Sequence, residues 1–276
     1  MQKKRAILST VLVIFGGLSA AACDAQAPLL RSVLENPIPA PVDASKPIAT
    51  QPALPSPVPS GAPDSPPLTP PIALIYGGPG VLTGADDTLE LATHVAELAG
   101  FETVEVRGRV DTDLLNRASV WVQPGGPNLY ADRFMNGNGM TTQVRDFVNR
   151  GGGYVGFCGG AYSAMNNLRL IKGSAWRYDE YTMKIPIVWL GAVRFLHFEH
   201  GPYIQLAANA NAEVVGRYED GTIAAARANY GRGKVFISGP HPEASQTWPP
   251  IADADGSDQE IAIGMLREVA AVPAAF

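Results

Sequence analysis

From residue 72 onward, the pattern of apolar and polar positions alternates between short strand-like runs and segments with helical spacing. The first apolar run, 72–76, ends at a Gly-Gly-Pro-Gly turn and is followed by apolar residues at helical spacing over 88–99. The same alternation then continues, with strands predicted at 103–106, 119–122 and 154–157 and helices at 113–118, 141–150 and from Gly160. It predicts an α/β fold with a doubly wound, mostly parallel sheet and helices on both faces. Ligands of such a sheet bind at the carboxyl ends of its strands.

After about Leu168 the pattern changes. Strand-like segments follow one another closely, at 185–190, 192–196, 213–218, 222–228 and 234–238. They predict an antiparallel extension or edge of the sheet. A closing helix is predicted over 259–272.

Residues 1–71 show neither pattern. Residues 1–22 carry three basic residues, then an apolar run of about a dozen residues and small residues, which is the order of a secretory signal peptide. The alternative is an uncleaved anchor helix, although the run is shorter than the roughly 20 residues of a membrane span. Residues 23–71 hold 14 of the 24 prolines, which predicts a disordered, extended tether. A single domain over 72–276 completes the predicted organisation.

The residues around Cys23 sharpen this interpretation. Ser19-Ala20-Ala21-Ala22-Cys23 resembles the lipobox of bacterial lipoproteins. The resemblance implies that the chain is cut before Cys23 and that its thiol is acylated. We therefore expect a lipoprotein of the bacterial cell envelope, held by its acyl chains at the periplasmic face of the inner or outer membrane.

Composition and charge narrow the class of protein. With 46% hydrophobic and 17% charged residues and only two cysteines, the chain is neither a polytopic membrane protein nor a disulfide scaffold. The formal net charge of −5 includes the +3 of Lys3, Lys4 and Arg5, so the mature chain would carry −8. An acidic chain without a basic stretch is not expected to bind nucleic acid. An acylated Cys23 would leave Cys158 without a partner thiol.

Cys158 lies at the junction of a predicted strand and a predicted helix, between small residues. The segment Gly156-Phe157-Cys158-Gly159-Gly160 has the pattern of a nucleophile elbow, in which a tight turn exposes a reactive side chain near a helix N-terminus. The alternative is an ordinary buried cysteine in a glycine-rich turn.

Two other predicted strand ends favour the first interpretation. His241 and Glu243 follow the strand at 234–238 and could serve as base and orienting carboxylate for Cys158. Gly126 follows the strand at 119–122, and its N–H and that of Gly159 could form an oxyanion hole. The three segments together indicate a cysteine-dependent active site more specifically than any one of them alone.

Four motifs carry a resemblance to a known family: Tyr76-Gly77-Gly78-Pro79-Gly80-Val81, Gln123-Pro124-Gly125-Gly126, the segment 151–162 around Cys158, and Gly239-Pro240-His241-Pro242-Glu243. The chain resembles the class I glutamine amidotransferase-like superfamily and, within it, the biotin-protein ligase N-terminal domain family. This implies a flavodoxin-like fold and a Cys158, His241, Glu243 triad. Tyr162 stands where glutamine-using members carry Gln, so the resemblance leaves open whether glutamine is used. Biotin ligation is not implied.

Other polar residues are assigned to the rim of the site or to no chemistry. Gly78, Tyr162, Glu199 and Tyr203 are candidates for a substrate rim. His197 and His200 are not expected to bind a metal, because residues three apart on a strand point to opposite faces. They are instead candidates to line the crevice with Glu199 and Tyr203. The aromatic and charged segment 176–181 is interpreted as a loop that either contacts substrate or covers apolar surface. No cofactor is expected.

Two functions remain open from the sequence. The first is a membrane-anchored, extracytoplasmic cysteine hydrolase or amidase acting on a small-molecule or peptide-like substrate. The second is a binding or scaffold lipoprotein that keeps the fold without turnover.

Overall fold

The computed structural model describes residues 69–83, 87–179, 182–245, 248 and 256–270. The predicted signal peptide, Cys23 and the proline-rich tether lie outside these residues. In the part of the chain that is described, no helix is both long enough and apolar enough to span a membrane.

The described residues form eleven strands and six helices. The strands are β1 (Ile72–Tyr76), β2 (Glu102–Val106), β3 (Ala118–Gln123), β4 (Gly153–Phe157), β5 (Gly173–Arg177), β6 (Thr182–Trp189), β7 (Ala192–Glu199), β8 (Pro202–Leu206), β9 (Ala212–Tyr218), β10 (Ile223–Tyr230) and β11 (Gly233–Ser238). The helices are α1 (Thr88–Leu98), α2 (Thr112–Arg117), α3 (Asn128–Gly137), α4 (Met140–Asn149), α5 (Gly159–Tyr162) and α6 (Gln259–Val269). A π-helical turn, Ser163–Asn167, continues α5.

The strands form one mixed sheet with a parallel and an antiparallel part. Strands β2-β1-β3-β4-β11 are parallel neighbours in that order. The sheet continues antiparallel through β10-β9-β6-β7, with β8 paired to β10 and β5 to β8. This confirms the predicted α/β class with a parallel central sheet and an antiparallel extension. Strand β11, grouped with the extension by its sequence position, instead pairs with β4 in the parallel part.

Side-chain alternation along β1 shows why the helices lie on both faces. Ala73 and Ile75 point into the hydrophobic cluster that also contains residues of α1 and α6. Leu74 and Tyr76 point into a second cluster with residues of α3 and α4. Because both faces of a central parallel strand are covered, the strand reads as a continuous apolar run in the sequence.

Three elements differ from the prediction. Helix α3 was not expected, because its sequence is rich in Asn and Gly and only Ala131 and Met135 are buried. The strands β5 and β8 were also missed. Trp176 and Arg177, interpreted as part of a loop, belong to β5, which pairs along its length with β8.

Candidate active site

Cys158 occupies a sharp turn between β4 and α5. Its backbone has φ 46° and ψ −100°, a conformation that is strained for a non-glycine residue. The turn is held by a hydrogen bond from the Cys158 N–H to the carbonyl of Ser238 (2.8 Å) and by one from the Ala161 N–H to the carbonyl of Cys158 (2.9 Å). Ser238 ends β11, so the neighbouring parallel strand fixes the turn. The thiol borders a cavity of about 810 Å³ at the carboxyl ends of the strands.

The loop after β3 packs directly against this turn. A Cβ at Gly159 would overlap the carbonyl oxygen of Gly126 and lie 3.0 Å from its nitrogen, so only glycine permits this approach. Gly159 is the first residue of α5, where a backbone N–H has no partner within the helix. Within the described residues, neither the Gly126 nor the Gly159 N–H donates a hydrogen bond to another group. The structure thus brings together the two amides named from the sequence.

His241 follows β11 and is held from two sides. Its Nδ1 lies 2.8 Å from Oε1 of Glu243, and its backbone N–H donates to the carbonyl of His197 at 2.8 Å. The side chains of His241 and Glu243 are 2% and 0% exposed. Gly125 leaves room for the ring, because a Cβ there would lie 2.5 Å from its Cε1.

The electrostatics of His241 connect it with the thiol. Burial alone would lower the pKa of His241, but the charges of Glu243 and Cys158, together with a hydrogen bond to each, hold this pKa well above its usual value. The imidazole is therefore charged at neutral pH when it faces a thiolate. Cys158 and His241 line one cavity, and Glu243 contacts His241.

Two of the four predicted rim residues line the cavity. Tyr162 is half-buried, and burial together with the charge of Cys158 raises its pKa to about 12, so it is a neutral phenol. Glu199 lines the cavity beside Tyr162, and its backbone carbonyl oxygen lies 3.4 Å from the Cys158 Sγ. Gly78 is instead buried against the Tyr76 ring. Tyr203 packs against the hydrophobic cluster on the α1 and α6 face.

The Glu199 carboxylate carries a negative charge beside the thiol. Its interaction with His197 lowers its pKa, and the charges of His241 and His200 act in the same direction against the effect of partial burial. The contact with His197 is 4.0 Å long, which is an electrostatic contact and too long for a hydrogen bond.

His200 lines the cavity, as expected from the sequence, whereas His197 lies behind it as a neighbour of His241. His197 is almost fully buried, its ring stacks on Trp248 with centroids 4.3 Å apart, and it meets the His241 ring edge-on at 5.8 Å. His197 reaches this position through the bridge between β7 and the segment after β11, and no local sequence pattern predicts that pairing. Within the described ranges, no three His, Cys, Asp or Glu side chains are grouped to hold a metal ion.

Comparison with known proteins agrees with the motif-based resemblance. Residues 73–177 match the model of the family described as "Biotin-protein ligase, N terminal". This match confirms the resemblance to that family. No match was found among the curated proteins. The chain is similar to the structure of PurLQS from Thermotoga maritima, with 19% identity and a TM-score of 0.57 over 72% of this chain and 98% of that chain. It is also similar to a glutamine amidotransferase crystal structure, with 18% identity and a TM-score of 0.52 over 72% and 99%. These similarities establish an amidotransferase-like fold.

Proposed function

From residues 73–177, which match the biotin-protein ligase N-terminal family, and from the amidotransferase-like fold, we propose that the protein is a cysteine-dependent hydrolase of amide C–N bonds. Its triad is Cys158, His241 and Glu243. The observation that carries the proposal is the buried His241, which lines the same cavity as Cys158 and lies 2.8 Å from the Glu243 carboxylate on its other side. A cysteine with only a structural role needs neither partner.

The first half of the reaction forms a thioester. The Cys158 thiolate attacks the carbonyl carbon, and the N–H groups of Gly126 and Gly159 stabilise the oxyanion that develops. The tetrahedral intermediate collapses when the C–N bond breaks and His241 gives its proton to the leaving amine. Glu243 keeps the imidazole oriented and stabilises its charged form.

The second half regenerates the thiol. His241, now neutral, takes a proton from a water molecule that attacks the thioester carbonyl. The C–S bond breaks, the carboxylic acid leaves, and the proton on His241 restores the starting ion pair. The residues that act in each step are already grouped around one cavity, so a large rearrangement is not required.

The reactivity of Cys158 tests the triad. The chain 23–276 with Cys23→Ser has Cys158 as its only thiol, so iodoacetamide labelling followed by mass spectrometry reports on it alone. We expect His241→Ala to slow labelling at pH 7 by about tenfold or more, because the thiolate loses its cationic partner. The matched control is His94→Ala, an exposed histidine in α1, which should leave the rate unchanged. Equal rates in all three chains would refute a catalytic triad.

The second candidate is a binding protein that keeps the fold without turnover, and Tyr162 is the observation that favours it. Its ring lines the cavity at the position where glutamine-using members of the superfamily carry Gln. Release of ammonia from glutamine and from small primary amides separates the two candidates. A reactive Cys158 without hydrolysis of any amide would favour the binding protein.

We further propose that the protein is anchored to the cell envelope through acylated Cys23, with 24–71 as the spacer to the domain. The support is the sequence order of basic residues, apolar run and small residues before Cys23. Labelled palmitate should be incorporated into the full chain and lost in Cys23→Ser. Cys158→Ser is the matched control and should keep the label. Label retained in Cys23→Ser would refute the anchor.

A further inference from the structure

Three large apolar side chains are exposed at the mouth of the Cys158 cavity. Leu82, Leu129 and Trp176, which we call the apolar rim, line the cavity and are 42%, 77% and 56% exposed. They come from three separate parts of the fold: the segment after β1, the first turn of α3, and β5. Single exposed apolar residues need no explanation, but a group that converges on one concave site indicates binding of an apolar partner.

Trp176 is held in place before any ligand arrives. Its indole Nε1 donates to the Ser174 hydroxyl at 2.9 Å, and its backbone pairs with Tyr203 in the β5–β8 ladder. An aromatic ring that is already fixed loses little conformational freedom on binding. More than half of the Trp176 surface therefore stays exposed to water in a preset orientation.

The charged groups that line the cavity are of both signs. The Glu199 carboxylate is ionised at neutral pH because its pKa is lowered, and the Arg177 guanidinium and the His241 imidazole line the same cavity. Tyr162 contributes a neutral phenol. Charge therefore does not select one ligand by itself, and the apolar rim is the feature that distinguishes one amide from another.

The size of the cavity leaves room for more than the scissile amide. Its volume of about 810 Å³ lies in the range of sites that enclose a ligand of drug-like size. Cys158 and His241 line the buried part of the cavity, whereas Leu82, Leu129 and Trp176 are exposed at its mouth. A ligand that fills this space places its carbonyl at the thiol and an apolar group on the rim.

We propose that the substrate is an amide that carries a bulky aromatic or long aliphatic substituent, and that the apolar rim binds this substituent. The proposal rests on the proposed function for its chemistry, since Cys158 attacks the amide carbonyl. Recognition of the apolar group requires no turnover, so it is measurable by itself.

Binding of three small amides to the chain 23–276 with Cys23→Ser and Cys158→Ser tests the proposal. The probes are 4-phenylbutanamide, butanamide and the anion glutaramate, and the dissociation constants are measured by isothermal titration calorimetry. We expect 4-phenylbutanamide to bind at least about tenfold more tightly than either of the others, because only it places a ring on Trp176. Absence of measurable 4-phenylbutanamide binding, or equal affinity for all three, overturns the proposal.

Rim variants identify where the ring binds. Trp176→Ala and Leu129→Ala should each weaken the binding of 4-phenylbutanamide several-fold and leave the affinity for butanamide unchanged. The matched controls are Tyr130→Ala and Leu98→Ala, which remove exposed side chains that do not line the cavity. Thermal unfolding of each variant verifies the fold. Affinity for 4-phenylbutanamide that is unchanged in both rim variants also overturns the proposal.

The two proposals fail in different ways. If the Cys158→Ser chain binds 4-phenylbutanamide through the rim and the wild-type thiol releases no ammonia from it, the hydrolase function is wrong and the rim assignment stands. If the wild-type protein hydrolyses butanamide and 4-phenylbutanamide with equal efficiency, the hydrolase function stands and the rim assignment is wrong.

Discussion

At the scale of single residues, the close approach of Gly126 and Gly159 predicts that a Gly→Ala substitution has opposite effects on stability at Gly159 and at Gly264. Gly159→Ala would press its Cβ against the Gly126 carbonyl, so we expect a loss of about 1–3 kcal/mol in unfolding free energy and slower alkylation of Cys158. Gly264 lies within α6, and a Cβ added there would have nothing within 4 Å. Gly264→Ala should instead add about 0.5–1 kcal/mol. Urea unfolding measures both, and equal effects of the two substitutions would contradict the packing described for Gly159.

The buried His197 predicts how stability depends on pH. Burial lowers its pKa against the opposing influence of Glu199 and Glu243, and the nearby charge of His241 lowers it further. Below its ordinary pKa of about 6.5, the unfolded chain therefore binds a proton that folded His197 does not, and stability falls as the pH falls. The slope from this group is at most about 1.4 kcal/mol per pH unit.

Urea unfolding at pH 7.5 and pH 5.0 measures this dependence. We expect His197→Gln to lose less unfolding free energy between the two pH values than the wild type does. His94→Gln removes an exposed histidine and should lose as much as the wild type. A pH dependence in His197→Gln equal to that of the wild type would show that His197 is not the buried group being protonated.

The sequence identified the residues of the site but not all of the pairings that bring them together. Cys158, His241 and Glu243 each follow a strand and stand among glycines or prolines, which marks them in the sequence. The strand before His241 was grouped with the antiparallel extension, and its parallel pairing with β4 was not predicted. His197 and the apolar rim depend on pairings within the antiparallel extension and on a helix of low propensity. Side-chain neighbours across such elements are set by register, which one sequence does not specify.

At the scale of elements, a buried ion-pair cluster ties the start of α6 to the β6–β7 hairpin. Asp258 precedes α6 and lies 3.1 Å from the Arg194 guanidinium and 3.6 Å from the Lys184 ammonium. Asp258 and Lys184 are almost fully buried. Asp258→Ala should cost about 3 kcal/mol, because the buried Lys184 ammonium loses a carboxylate, whereas Arg194 is partly exposed and keeps Glu260.

A surface ion pair provides the control for this prediction. Glu213 pairs with Arg227 between β9 and β10 at 2.7 Å, and the Glu213 side chain is 58% exposed. Glu213→Ala should cost less than about 1 kcal/mol. Urea unfolding compares the two variants, and similar losses would refute the role of Asp258 in fixing α6.

The elements themselves were predictable where the pattern is strong and the burial is deep. Strands β1, β3 and β4 read as apolar runs because helices cover both of their faces. Strand β5 begins at a glycine and has one buried residue, Ala175, so tertiary pairing rather than local preference makes it a strand. The same holds for α3, which packs on α4 and on the turn after α5.

At the scale of the whole molecule, the fold and the cavity are built from residues that follow the proline-rich segment. Both hydrophobic clusters consist of residues between Ile72 and Ala270, and the cavity is lined by residues between Leu82 and His241. We therefore expect the chain 69–276 to fold by itself, with the same Cys158 alkylation rate as 23–276 carrying Cys23→Ser. The melting temperatures should agree within about 2 °C, since 1 kcal/mol corresponds to about 2–4 °C for a domain of this size. Differential scanning calorimetry and iodoacetamide labelling of the two chains measure this, and a lower melting temperature or slower labelling in 69–276 would mean that residues 23–68 contribute to the domain and its site.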